Sequence, residues 1–126
     1  MEKVLCQISS ILEGSSYSFE IDQIALFAIN KHDQIFVYLN LCPHLHAPLN
    51  WEPDKFLNNS CDLIQCSNHG ALFDIENGEC IQGPCKGQSL QAVDYEVKDG
   101  NIYIKESDLT TLSAPRQIVC WFQINQ

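Results

Sequence analysis

Two short motifs, each of which pairs a cysteine with a histidine, constrain this chain more than any other feature. The first joins Cys42 to His44 across one residue and the second joins Cys66 to His69 across two, with residues 45–65 between them. Loops with C-x-H or C-x2-H spacing direct a thiolate and an imidazole the same way, so two such loops bring two sulfurs and two nitrogens together. This donor set suits a tetrahedral zinc ion or a two-iron cluster with mixed ligands. Unliganded core cysteines and histidines are a weaker alternative, because histidine rarely recurs beside cysteine through packing alone.

The residues around the motifs favour the two-iron cluster. The second motif continues into Gly70, a Gly-Pro pair follows at Gly83-Pro84, and the whole pattern closely resembles the Rieske [2Fe-2S] family. In that family a C-x-H loop and a C-x2-H-G loop hold the cluster, and a Gly-Pro loop lies against it. The resemblance extends from about Ser15 to Glu106, which is most of the chain.

The resemblance implies a ligand set for one [2Fe-2S] cluster per chain. Cys42 and Cys66 are expected to bind one iron, and His44 and His69 are expected to bind the other, on the side nearer to solvent. Two neutral imidazoles replace two thiolates, so the oxidised site is near neutral instead of carrying a charge of about −2. Adding an electron to a neutral site costs less, and the histidines therefore raise the reduction potential.

Positions near the ligands indicate a potential at the low end of the Rieske range. High-potential members of the family carry an additional cysteine in each loop, joined as a disulfide, where this chain has Ala47 and Asn68. They also carry hydroxyl groups two and four residues after the second histidine, where this chain has Ala71 and Phe73. Fewer hydrogen bonds to sulfur leave the reduced state less stabilised, which is typical of ferredoxin-type members.

One position departs from the family pattern. Two residues after the first histidine the family usually has glycine, and this chain has His46. Histidine accepts a positive φ less readily than glycine, so either the loop has an ordinary backbone or His46 is mildly strained. His46 is also an alternative imidazole ligand at C-x3-H spacing, although an exposed side chain on the rim of the site is the simpler interpretation.

The rest of the chain predicts an all-β fold. Short alternating or apolar segments are separated by turn signals at Lys31-His32-Asp33, Asn77-Gly78 and Asp99-Gly100. We expect a Rieske-like antiparallel β-sandwich or small barrel in residues 1–106, with a cluster-binding subdomain inserted at about residues 41–85. The predicted strands are residues 16–21, 24–30, 34–39, 62–65, 71–75, 90–97 and 101–105.

Residues 107–126 extend beyond the Rieske pattern. Their last part is dense in large apolar side chains, and such a segment is not expected to remain in water. Packing on its own domain is the first interpretation, and a contact with a partner or a second copy is the alternative. The apolar residues are Ile118, Val119, Trp121, Phe122 and Ile124.

Composition limits the location and the partners. The chain has 126 residues, enough for one domain, and its formal net charge of −9 argues against nucleic acid and anionic membranes as partners. No segment is long and apolar enough to cross a membrane, and the start lacks a basic segment followed by a long apolar run, which favours a cytoplasmic location. An odd number of cysteines also argues against a secreted disulfide scaffold. The five cysteines that are not ligands are expected to be reduced and mostly buried.

The resemblance implies a function in electron transfer and not in catalysis. We expect a Rieske-type ferredoxin that accepts one electron from a flavoprotein reductase and passes it to an oxygenase or another terminal enzyme. The sequence contains no further metal motif at which oxygen could be activated. Two alternatives stay open: a small subunit of a reductase complex such as nitrite reductase, and an interaction module held together by zinc.

Overall fold

The structure is a computed structural model that describes residues 2–21, 23–43, 48–50, 54–58, 60–67, 70–84 and 86–105. Within these residues the chain forms three antiparallel sheets, and its one helical element is a short 3-10 turn at Ile8–Ser10. The predicted all-β fold is confirmed. No helix among these residues is long and apolar enough to span a membrane. The strands are β1 (Glu2–Gln7), β2 (Ser16–Ile21), β3 (Ile24–Lys31), β4 (Gln34–Leu39), β5 (Leu63–Gln65), β6 (Leu72–Asp74), β7 (Cys80–Gln82), β8 (Glu96–Lys98) and β9 (Asn101–Lys105).

The main sheet is the meander β2-β3-β4, which matches the first three predicted strands. β3 and β4 are joined by His32 and Asp33, whose φ angles are 55° and 64°. Two consecutive positive φ angles are the geometry of a type I′ hairpin turn, which follows the twist of the strands. The Glu13 carboxylate accepts the backbone N–H groups of both turn residues, at 2.8 and 3.0 Å.

Both faces of β3 and β4 are buried, so the main sheet is the middle layer of the molecule. Phe27 and Ile29 of β3 belong to one core, whereas Leu26 and Ala28 belong to another. A strand that is buried on both faces has a continuous run of apolar residues, which is why β3 shows little alternation of apolar and polar residues in the sequence. One core, here called the site core, contains Phe27, Ile29, Tyr38, Cys42, Leu49, Phe56, Ile64, Cys66, Ala71, Phe73, Ile75, Cys80 and Leu90. The other, here called the second core, contains Ile11, Ile24, Leu26, Ala28, Ile35, Val37, Leu39, Val93, Ile102 and Ile104.

A small sheet, β5-β6-β7, supplies the other side of the site core. β6 is its middle strand, and its register pairs Ile64 with Phe73 and Phe73 with Cys80. The reversal between β6 and β7 uses Gly78, whose φ is 74°, as the Asn77-Gly78 signal predicts. The small sheet falls within residues 41–85, the range predicted for the inserted subdomain.

The third sheet, β1-β9-β8, covers the second core. β8 and β9 form the predicted hairpin around Asp99-Gly100, in which both turn residues have a positive φ. The sequence analysis did not predict β1. Its pairing with β9 is interrupted by an irregularity between Val4 and Cys6, which breaks the alternation by which strands are recognised.

The segment before β8 differs from the prediction. Residues 90–97 were expected to form one strand, but regular pairing with β9 is limited to Glu96–Lys98. The preceding residues instead join two sheets: the Leu90 N–H donates to the Gly78 oxygen, and the Leu39 N–H donates to the Gln91 oxygen, both at 2.9 Å. Backbone groups that bond on two sides cannot also form a hairpin ladder with β9, which explains the shorter strand.

Candidate metal centre

Cys42 lies just beyond the end of β4, in the site core. Its relative exposure is 0%, although cysteine and proline open a loop at this point. Asn40, which follows β4, donates its backbone N–H to the Ala25 oxygen at 2.9 Å, so the pairing with β3 continues up to the loop. The main sheet therefore sets where the first cysteine begins its loop.

Cys66 follows β5 directly and is also fully buried. Its backbone N–H donates to the Ala71 oxygen at 2.9 Å, which closes the second loop at its base. Gly70 within this loop has a φ of 65°, and the nearest atom to an added Cβ would be 3.9 Å away. Glycine is therefore favoured here by the backbone conformation and not by a lack of space.

The structure brings the two predicted cysteine ligands into one core. Cys42 and Cys66 both belong to the site core. A hydrogen bond of 2.8 Å from the Ser67 N–H to the Leu49 oxygen joins the second loop to the far end of the first. The two loops are thus held side by side by backbone contacts as well as by packing.

The two predicted histidine ligands, His44 and His69, lie outside the described residues, as do His46, Ala47 and Asn68. Among the residues that are described, no group of three or more His, Cys, Asp or Glu side chains could hold a metal ion. The assignment of the imidazole ligands, and the choice between His44 and His46, stays a prediction.

The chemistry of the two buried thiols fits a metal centre of the predicted kind. The thiolate is the form of cysteine that binds metal, and a buried thiolate is costly unless a cation compensates its charge. The described residues that are both buried and polar are Ser16, Asn30 and Asn40, so no buried lysine or arginine is described that could do so. Sulfur ligands favour iron–sulfur clusters or zinc, so the pair Cys42 and Cys66 suits half of a four-ligand site.

A third loop packs against the second ligand loop. Gly83 has a φ of 116°, and a Cβ at this position would lie 2.8 Å from the Ala71 Cα. Contacts of that length do not occur, so the backbones of the two loops approach each other only because residue 83 is glycine. This contact brings the Gly83-Pro84 pair next to the residue that closes the Cys66 loop.

The two positions predicted to lack hydroxyl donors are both buried in the same core as the cysteines. Ala71 and Phe73 have exposures of 1% and 0% and belong to the site core. Neither side chain can donate a hydrogen bond. Phe73 pairs across the sheet with Cys80, which is buried as expected and whose Sγ lies 3.4 Å from the Gln82 oxygen.

The other cysteines follow the prediction only in part. None of the described cysteines is in a disulfide, and Cys80 is buried, but Cys61 is exposed and Cys6 is half-buried. Burial raises the pKa of the Cys6 thiol. Cys61 lies in a turn with a φ of 59° and lines a surface groove of about 580 Å³ whose described lining includes neither Cys42 nor Cys66. Cys85 and Cys120 are outside the described residues.

Two residues that support the loops were missed by the sequence analysis. The Tyr38 hydroxyl donates to the Ile75 oxygen at 2.6 Å, which ties β4 to the residue after β6. Asn40 accepts the Leu49 N–H through its side chain. Neither position carries a local signal, because tyrosine in a strand and asparagine at its end are ordinary residues. Only their place in the sequence, four and two residues before Cys42, sets them apart.

Solved structures with the same fold match more than four fifths of this chain. The ferredoxin of carbazole 1,9a-dioxygenase from Nocardioides aromaticivorans IC177 is 21% identical, with a TM-score of 0.66 over 82% of this chain and 96% of that one. The Sphingomonas yanoikuyae B1 ferredoxin is 27% identical, with a TM-score of 0.66 over 84% of this chain and 99% of that one. A complex of reduced oxygenase and oxidised ferredoxin in carbazole 1,9a-dioxygenase matches at 24% identity and a TM-score of 0.64, over 82% of this chain and 91% of that one.

The family is identified by the sequence itself. No curated protein matches the chain. The family model of the Rieske [2Fe-2S] domain, however, matches residues 1–109. This range includes both Cys/His motifs, the loops that bury Cys42 and Cys66, and all three sheets. The chain therefore belongs to the Rieske [2Fe-2S] domain family, whose cofactor is a [2Fe-2S] cluster.

Proposed function

We propose that this chain is a Rieske-type ferredoxin, a one-electron carrier, whose cluster is held by Cys42, His44, Cys66 and His69. The observation that carries the proposal is the burial of Cys42 and Cys66 in one core, on two adjacent loops, in a chain of the Rieske family. Each cysteine begins a motif that contains a histidine at the spacing of that family. The Rieske domain is proposed to end near residue 106, and residues 107–126 are proposed to pack on it.

The bound cluster would supply one reversible one-electron couple, and the residues of this chain would control access to it. Cys42 and Cys66 are fully buried, so they keep water from their side of the site. The histidines are the outer ligands in the family, so the proposed route for the electron is through His44 and His69. Among the described residues of the site, Ala71 and Phe73 contribute apolar packing and no side-chain hydrogen-bond donor, in keeping with a low potential.

The proposed electron acceptor is an oxygenase and the proposed donor is a flavoprotein reductase. The acceptor is supported by the matching structure in which a reduced oxygenase and an oxidised ferredoxin form a complex. A separate carrier is also supported because two ferredoxins are matched over 96% and 99% of their own length. The reductase as electron donor and a cytoplasmic location are parts of the same proposal. Subcellular fractionation of cells that express the natural protein tests the location.

The first experiment is chemical and spectroscopic analysis of the purified protein. We expect red-brown protein with about two irons and two acid-labile sulfides per chain, and a rhombic EPR signal with an average g below the free-electron value after reduction. Cys42→Ser and Cys66→Ser should each abolish the signal, and Cys61→Ser is the matched control because that thiol is exposed and does not belong to the site core. Colourless protein with stoichiometric zinc and no sulfide would show a zinc-held module instead.

The second experiment separates the two imidazole assignments. His44→Ala should abolish the Rieske spectrum, whereas His46→Ala should leave it nearly unchanged. The opposite result would make His46 the ligand and revise the first loop. Both variants remove one imidazole from the same short segment, so each is the control for the other.

The third experiment separates a mobile carrier from a permanent subunit. Reduced protein should pass one electron to an oxygenase component of the carbazole dioxygenase type, and the purified protein should run without a larger partner on a sizing column. Recovery of the native protein in a stable complex with a large reductase subunit would favour the nitrite-reductase type of assembly.

A further inference from the structure

A polar side chain is buried where the main sheet passes the chain to the first ligand loop. Asn40 follows β4, precedes Cys42 by two residues and is only 8% exposed. Its backbone is fixed to β3 by the hydrogen bond to the Ala25 oxygen. A buried amide is costly unless its donors and acceptor are paired, so the partners of this side chain indicate what it does.

Both ends of the Asn40 amide bond to the far end of the first ligand loop. Its Oδ1 accepts the Leu49 N–H at 2.8 Å, and its Nδ2 donates to the Asn50 Oδ1 at 3.0 Å. These bonds close the loop that begins with Cys42 and contains His44. The ends of the loop are therefore held together by a side chain that is itself fixed to the sheet.

The same bridge continues to the second ligand loop. Leu49 is fully buried in the site core, and its oxygen accepts the Ser67 N–H at 2.8 Å. Ser67 is the residue after Cys66. A short series of hydrogen bonds therefore runs from β3 through Asn40 and Leu49 to the second cysteine loop.

We infer that Asn40 is a positioning residue for the cluster site, which sets the separation of the two ligand loops by closing the first loop and supporting the second through Leu49. The inference rests on the ligand set of the proposed function. A leucine of similar volume would fill the same space, so packing alone does not require an amide here. What the amide adds is direction, because a hydrogen bond fixes both the distance and the orientation of Leu49.

The test compares Asn40 with a second buried asparagine. Asn30, in β3, is 9% exposed and donates its Nδ2 to the Ile11 oxygen at 2.8 Å, away from both loops. Asn40→Leu and Asn30→Leu each remove one buried amide, so both should lower stability. Asn40→Asp keeps an oxygen that can accept the Leu49 N–H. Asn40→Ser replaces Asn40→Leu if that variant does not fold, because its side chain is too short to bridge the loop.

Hydrogen exchange of the full-length protein, read by mass spectrometry, reports the loop contacts directly. In Asn40→Leu the Leu49 and Ser67 amides should exchange faster by about tenfold beyond the change of the core as a whole. Asn40→Asp should keep slow exchange at Leu49, and Asn30→Leu should change these two amides no more than the rest. The midpoint potential should shift in Asn40→Leu and stay at the wild-type value in Asn30→Leu.

Asn40 would be a stability residue only if Asn40→Leu and Asn30→Leu changed the two amides equally and left the potential at its wild-type value. If the wild-type protein contained no cluster, the proposed function would fail. The exchange comparison would still decide whether Asn40 holds the loops together, so the two failures are distinguishable.

Discussion

Phe73 is a buried residue whose chemistry bears on the reduction potential of the cluster. It is fully buried in the site core with both cysteines, and as a phenylalanine it donates no hydrogen bond. The wild-type potential is therefore expected near roughly −150 mV, the low end for Rieske centres. Phe73→Tyr adds one hydroxyl in this core and should raise the potential, because a donor to sulfur stabilises the reduced site.

Protein-film voltammetry measures this change. Phe19→Tyr is the matched control, because Phe19 packs against the second core and its new hydroxyl should leave the potential unchanged. A clearly positive potential in the wild type would refute the tuning argument. An unchanged potential in Phe73→Tyr would show that the new hydroxyl does not reach a sulfur.

The buried Tyr38 side chain predicts how the stability of the protein changes at alkaline pH. Its side chain is 2% exposed, and burial, with the nearby charges of Asp74 and Glu76, raises its pKa to about 12. The ordinary value is about 10, so the folded state prefers the neutral phenol. The resulting stability is complete below about pH 10 and is lost as the pH rises towards 12, because the unfolded tyrosine ionises first.

Tyr38→Phe should therefore be less stable by about 1–2 kcal/mol at neutral pH, since it leaves the Ile75 oxygen without its 2.6 Å donor. The difference from the wild type should shrink between about pH 10 and 12 in urea denaturation. Tyr95→Phe removes a similar bond, to the Ile35 oxygen at 2.7 Å, in the second core. Only Tyr38→Phe should speed loss of the cluster absorbance, and equal rates in both variants would contradict a role near the site.

Single residues also show what the sequence could and could not predict about the site. Cysteine and histidine have few roles at tight spacing, so the ligand motifs were recognisable, and the burial of Cys42 and Cys66 agrees with them. Asn40 and Tyr38 act through hydrogen-bond partners that are nine or more residues away along the chain. A local sequence pattern does not predict such partners. Cys61 is an exception to the expectation that the remaining cysteines are mostly buried, because burial depends on which segments cover a turn.

Among the elements, the strands with the clearest pattern were predicted best. β2, β3 and β4 agree with the expected segments because each is joined to the next by a short turn. β1 pairs with β9 from the opposite end of the domain, and β7 is only three residues long, so neither had a local signal. The shortened hairpin at β8 arose because residues 90–93 bond to other sheets. Pairing with distant segments thus explains the misses at β1 and β8, and the short length of β7 explains the third.

The contact between the Gly83 loop and the second ligand loop predicts the effect of an added side chain on stability. Gly83→Ala must accept a φ of 116° and also a Cβ placed 2.8 Å from the Ala71 Cα, so the two loops have to separate. Gly87→Ala is the matched control, because its φ is 95° but nothing lies within 4 Å of the added Cβ. The conformational strain alone should cost about 1–3 kcal/mol in each variant.

The additional cost in Gly83→Ala should appear as lower stability and faster loss of the cluster absorbance than in Gly87→Ala. Chemical denaturation gives the first quantity and the decay of visible absorbance in air gives the second. Equal behaviour of the two variants would mean that the contact between Gly83 and Ala71 does not support the second ligand loop.

At the scale of the whole molecule, the main sheet separates two tasks. One face of the main sheet packs with the small sheet around Cys42 and Cys66. The other face packs with the sheet β1-β9-β8 and forms the second core, which contains none of the proposed cluster ligands. The second core can therefore be changed without direct effect on the centre. The net charge of −9 favours encounter with basic surfaces of redox partners, and such steering weakens as salt is added.

Residues 107–126 lie beyond the described part of the chain, and their packing stays a prediction. Burial of only three of their large apolar side chains would contribute on the order of 5 kcal/mol before entropy is subtracted. That is comparable to the whole stability of a small domain, so an apolar segment of this kind should be covered by protein. Deletion of residues 107–126 should then lower the melting temperature and increase binding of an apolar dye.

The cluster spectrum of the truncated protein should be preserved, because both cysteine loops and all three sheets lie before residue 106. Trp121→Ser with Phe122→Ser in the full chain is the companion variant, since it removes the apolar surface and keeps the length. If both variants were as stable as the full chain but lost self-association or binding to the redox partner, the segment would be an interface. The apolar residues would then be covered by another molecule, and the domain of residues 1–106 would be a complete electron carrier without them.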